Sequence, residues 1–107
     1  MSGSGGGSWP PEGELRCEAL RFDTQLASPQ AAMLQVIKEG EVLEVGILPI
    51  NGLQVLQVAR AGHTVGGLAG GLVARLRECV LRGFIFQATV LSIDGALVIV
   101  RIEPREP

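Results

Sequence analysis

A chain of 107 residues with nine basic and eleven acidic side chains has room for one domain, and its formal charge is −2. The pI near 5.3 lacks the basic balance of a dedicated nucleic-acid binder. Apolar residues reach 47%, yet Arg60, His63, Arg75, Arg82 and Asp94 interrupt every apolar run before the roughly 18–20 residues that a membrane helix needs.

No basic start followed by an apolar block opens the chain, so no secretory signal is predicted and a cytoplasmic location is expected. Mean hydropathy of +0.35 is high for a small monomer, and the surplus apolar surface predicts self-association or a protein partner. Residues 1–13 are Gly/Ser-rich and then Pro-rich, a composition that reads as a flexible tail with Trp9 as its one apolar anchor. The domain is expected over 14–107.

Leu15, Cys17 and Ala19, then Leu20 and Phe22, fit period two, which predicts a first strand within 15–26 with an irregularity near Ala19. Ser28-Pro29 supplies an N-cap and a tolerated first-turn proline, predicting a helix over 29–39 that Gly40 ends. A strand follows over 41–48, with Leu43, Val45 and Ile47 on its apolar face. Pro49-Ile50-Asn51-Gly52 predicts a turn, a strand over 53–60 comes next, and Ala61-Gly62-His63 turns again before a short strand over 64–66.

Leu68, Leu72, Leu76, Cys79 and Val80 recur at helical spacing and predict the main helix over 68–82, with Arg75, Glu78 and Arg82 on the opposite side and Gly83 as its stop. The remainder reads as a hairpin, 84–93 and 96–103, around an Asp94-Gly95 loop that places Ile93 opposite Ala96. In that register Phe86, Ala88 and Val90 share a face with Leu97 and Ile99, while Leu91 shares the other with Val98, Val100 and Ile102. Both faces are then largely apolar and both need cover.

The single histidine and two distant cysteines exclude a multi-histidine or zinc site, and no nucleophile–base arrangement is legible, so a non-catalytic chain without cofactor is expected. Cys17 and Cys79 are expected as buried free thiols, ahead of a disulfide between them. The acids Asp23, Glu41, Glu44, Asp94 and Glu103 fall on strand edges and turns, where solvated carboxylates are normal. The run Gly66-Gly67-Leu68-Ala69-Gly70-Gly71 lacks the spacing of phosphate-binding loops and is expected to let the helix start sit close to a strand. Four arginines against one acid over 45–91 leave a candidate phosphate or nucleic-acid patch at Arg60, His63, Arg75 and Arg82.

The order of pieces resembles the core of HIRAN domains. Gly40, Leu43 and Val45 stand as G-x-x-L-x-V, Val65-Gly66-Gly67-Leu68 as V-G-x-L stepping into a helix, and Gly83 precedes an alternating strand. About half the chain is covered, and Pro49-Ile50-Asn51-Gly52 stands where the family has Asn-Pro-x-Asp. The resemblance implies a small β-barrel with helices and recognition of DNA, single-stranded ends above all. The fold expected overall is α+β: a small curved, mainly antiparallel sheet or partly open barrel of five to six strands with two helices. Its expected role is a protein-interaction, assembly or regulatory module, homo-oligomeric through its surplus apolar surface, with single-stranded nucleic-acid binding as the alternative.

Overall fold

The computed structural model describes residues 16–105. Its elements run β1 (Phe22–Gln25), α1 (Ala31–Leu34), β2 (Val42–Ile50), β3 (Leu53–Arg60), β4 (His63–Gly67), α2 (Val73–Leu81), β5 (Phe86–Asp94) and β6 (Leu97–Pro104), with a 3-10 turn at Cys17–Ala19 ahead of β1. The fold is α+β: six strands form one sheet of order β1-β6-β5-β2-β3-β4, every pairing antiparallel.

Two of its hairpins follow directly from local chemistry. Asn51 and Gly52 take φ of 52° and 80°, and Ala61 and Gly62 take 52° and 85°, the paired left-handed values of type I′ loops. These loops close on Ile50↔Leu53 and Arg60↔His63. Ala61 accepts a conformation that costs a residue with a Cβ about 1 kcal/mol or more.

The third hairpin departs from expectation. Asp94 pairs with Leu97, so Gly95-Ala96 is the loop, with Gly95 at φ 61° in the first central position that a type II′ turn reserves for glycine. Leu91 is bulged between Val90↔Val100 and Ser92↔Ile99. Phe86, Ala88 and Val90 therefore share the buried face with Val98, Val100 and Ile102, all at most 2% exposed. The other face, with Ile85 at 63% and Leu97 at 42%, is open, so the hairpin is not covered on both sides.

Both helices are shorter than predicted. Gln30 donates its N–H to Val65 O, which holds the chain in sheet-like pairing and delays α1 to Ala31; Gln30, not Ser28, is its N-cap. The turn continues to Ile37, which is buried, and Gly40 follows at φ 89°. Likewise Leu68 donates to Leu56 O and Gly70 sits at φ 124°, so α2 begins only at Val73. It ends as predicted at Gly83, where Gly83 N–H bonds Val80 O and Phe84 N–H bonds Cys79 O in a Schellman arrangement. The predicted first strand is also cut back, because Cys17–Ala19 forms the 3-10 turn and only Phe22–Gln25 pairs with β6. Leu15, Trp9 and the predicted tail lie outside the described residues.

β1 and β4 are the edges of the ladder, and one crossing ties them together. Leu26 N–H bonds Val98 O on β6, and Ala27 then exchanges two hydrogen bonds of 2.9 and 2.8 Å with Gly67 on β4. Gly66 makes this possible: a Cβ there would sit 3.2 Å from Ala27 O and 3.3 Å from Leu26 Cβ. The glycine pair thus serves close approach, at β4 rather than at the helix start. α2 lays Val73, Leu76 and Cys79 into the core formed by Leu43, Leu56, Val58 and the buried face of β5–β6.

Candidate functional site

Cys17 and Cys79 determine where the arginines go. The 3-10 turn and the last turn of α2 bring the two residues to a Cα–Cα distance of 5.4 Å, and they form a disulfide with both residues buried. Free thiols were the expectation. Sequence distance conceals the pairing: 62 residues separate them, and only the packing of the turn onto α2 joins them.

Arg75 and Arg82 are seven residues apart, two turns of α2, and so lie on one side of it. Both line a cavity of about 230 Å³ with Arg16, Cys17, Glu18 and Phe84. Arg82 Nη1 donates to Cys17 Sγ over 3.7 Å, and its guanidinium carbon stands 5.6 Å from the centroid of the Phe84 ring. Arg75 Nη1 donates to Glu78 Oε1 at 2.9 Å, the pairing that the helical spacing predicts. Arg16 Nε lies 4.0 Å from Glu18 Oε1.

Arg60 and His63 belong elsewhere. They face each other as the closing pair of the β3–β4 loop, both exposed, and Arg60 Nε donates to Glu41 Oε2. That hydrogen bond holds the Glu41 carboxyl below its ordinary value. The four predicted patch residues therefore divide into two pairs on different elements. Arg16 was missed because nothing in its sequence neighbourhood marks it; the seven-residue spacing of Arg75 and Arg82 was a usable signal.

The predicted acids are mostly stitches between strands. Arg101 bonds both carboxylate oxygens of Asp23 at 2.8 and 3.2 Å across β1–β6, and Arg21 pairs with Glu103. The Arg101 hydrogen bond lowers the Asp23 pKa from its ordinary 3.8. A carboxyl whose folded pKa is depressed contributes stability that is present above the unfolded pKa and is lost as pH falls through the folded one. Acid melting curves should therefore show Arg101→Ala to be less stable than the parent at neutral pH, with the difference shrinking below the ordinary aspartate range. A difference constant down to pH ~2 would refute the linkage. The pair is exposed, so solvent screening keeps its contribution at neutral pH small.

No group of three or more His, Cys, Asp and Glu side chains is placed to hold a metal among the described residues, and no helix there is long and apolar enough to cross a membrane. Comparison with protein-family models, curated proteins and solved structures finds no match to this chain.

Proposed function

We propose that the chain is a non-catalytic assembly module that self-associates through the outer end of the β2–β3 hairpin. The observation that carries this is an apolar surface that the fold leaves open, bordered by Arg77, whose Nε donates to Gln54 O. β5 pairs with β2 only from Val42 to Glu44, so residues 45–50 and their β3 partners extend past it. Residues 45–59 contain no charged side chain. Leu48 pairs with Val55 and Ile50 with Leu53, which places all four on one face, with Leu48, Ile50 and Leu53 exposed by 40, 43 and 68%.

The same outer face is polar further along the sheet, where Thr89 and Arg101 continue the row of Val42, and Gln87 and Glu103 that of Glu44. Two copies of the apolar end can face each other about a two-fold axis with Arg77 at the rim, and covering a leucine or isoleucine side chain fully gains about 1.5–3 kcal/mol each. This surface differs from the β5–β6 hairpin on which the sequence-based expectation of an interface rested.

Light scattering coupled to size exclusion, over a wide concentration range, tests the reading. The parent chain should give a concentration-dependent dimer or larger species, and Leu53→Asp should run as a folded monomer. A monomeric parent at the highest concentration, or a variant of unchanged mass, would count against it.

Nucleic-acid recognition, the alternative taken from the resemblance to HIRAN domains, has less support, because Arg60 and Arg75 are engaged by Glu41 and Glu78 and lie on different elements. The buried disulfide also weighs against the cytoplasmic location expected from the sequence, since structural disulfides are rare in that compartment.

A further inference from the structure

β3 begins before the strand that covers its far edge. Its pairing with β4 reaches only to Gln57↔Gly67, and Leu68 N–H to Leu56 O is the last bond on that side. Leu53, Gln54 and Val55 are paired with β2 alone, so their other edge has no strand beside it. Backbone groups alternate in direction along an antiparallel ladder. Leu53 closes the two-residue loop with Ile50, so the groups of Leu53 and Val55 turn to β2 and those of Gln54 turn outward. The outward Gln54 O accepts from Arg77 Nε at 3.1 Å, and the Gln54 N–H has no partner among the described residues.

α2 supplies the facing wall. Arg77 is half-buried and lines a cavity of about 490 Å³ together with Gly52, Leu53, Gln54 and Val55. A neutral carbonyl engages its Nε, and no carboxylate among the described residues pairs with its guanidinium. The two Nη groups are left as charged donors in a groove whose strand side is apolar at Leu53 and Val55 and offers a spare backbone N–H at Gln54.

We propose that this groove binds the free C-terminal carboxylate of an extended peptide, which lies along β3 where β4 stops. The carboxylate accepts from the Arg77 Nη groups, a peptide carbonyl accepts from the Gln54 N–H, and an apolar terminal side chain covers Leu53 and Val55. Each part of the site asks for a different part of the ligand. The strand edge pairs with any extended backbone, the guanidinium requires the charge of a chain end, and the apolar side chains favour an apolar last residue. Leu53 also borders the self-association surface, so binding is measured at one fixed protein concentration at which light scattering gives a single mass.

Amide NMR titration of the full chain tests this with three acetylated tetrapeptides, Thr-Ala-Thr followed by valine, leucine or phenylalanine, each with a free carboxylate. At least one should shift the Gln54 amide saturably, together with those of Leu53 and Val55. Affinity should fall roughly tenfold or more for the same peptide as its C-terminal amide, and equally in Arg77→Gln, through loss of a charge-assisted hydrogen bond. No saturable shift with any of the three, or equal affinity for acid and amide, overturns the site. Unchanged affinity in a folded Arg77→Gln overturns it too, and the acid–amide comparison on the parent chain decides the matter where that variant does not fold. N-acetylvaline binding as tightly as the valine tetrapeptide would show an adaptable carboxylate pocket and overturn pairing of the peptide along β3.

Discussion

Reducing the Cys17–Cys79 bond is expected to lower the stability of the domain by about 4 kcal/mol, the chain-entropy value for closing a loop of 62 residues. A domain of this size has a total stability of roughly 5–15 kcal/mol, so the loss is a large share. The melting temperature should fall by something on the order of 20 °C. Thermal melts with and without dithiothreitol measure this directly, and Cys79→Ala should abolish the effect of the reductant. The bond ties the 3-10 turn, and through it the short strand β1, to α2. Loss of the bond should therefore loosen Phe22–Gln25 before the centre of the sheet, which amide hydrogen exchange would register. A shift of only a few degrees would mean that packing around Leu20 and Leu76 holds the two segments together without help from the bond.

Val100→Asp is expected to abolish folding, while Ile99→Asp one residue earlier should cost about 1 kcal/mol or less. Val100 is fully buried, between Thr24 on β1 and Val90 on β5. A carboxylate placed there has no partner and loses its hydration, a penalty of several kcal/mol that rivals the stability of the whole domain. Ile99 faces the other way and is half-buried beside Gln25 and Ser92, where a charge keeps contact with water. Urea unfolding of the two variants distinguishes the observed register from the alternative with Ile93 opposite Ala96. In that alternative Ile99 joins Phe86 and Val90 in the core, and the costs of the two substitutions approach each other.

The same residues show how far sequence reasoning reached. The hairpin β5–β6 was legible as a hairpin, but its register was not. Asp-Gly and Gly-Ala are both acceptable two-residue loops, and with both strands apolar on both faces no alternation chose between them. The Leu91 bulge resolved the conflict by shifting parity midway, and nothing local to Leu91 announces it. In β2, where Leu43, Val45 and Ile47 alternate against Glu44 and Gly46, the buried face was read correctly.

The candidate site was legible only in fragments. Arg75 and Arg82 were visible as a pair on one helix, because spacing along a helix fixes direction. Their grouping with Arg60 and His63 rested on sequence proximity, and the fold separates them. Arg16 and the sulfur of Cys17 join the site from a segment about sixty residues away, an association that no local pattern encodes.

By itself the amino-acid sequence determined the elements whose cause is local. The Asn51-Gly52 and Ala61-Gly62 turns, the stop at Gly83, the core-facing Leu76 and Cys79 of α2 and the order of strands along the chain follow from backbone preference and periodicity. Tertiary structure alone decided the lengths of both helices, the register of the last hairpin, the Ala27–Gly67 crossing and the Cys17–Cys79 bond. Each of these depends on a hydrogen bond or packing contact between distant segments, such as Gln30 to Val65 or Leu68 to Leu56, and such a contact overrides local preference because it satisfies a buried backbone group that would otherwise go unpaired.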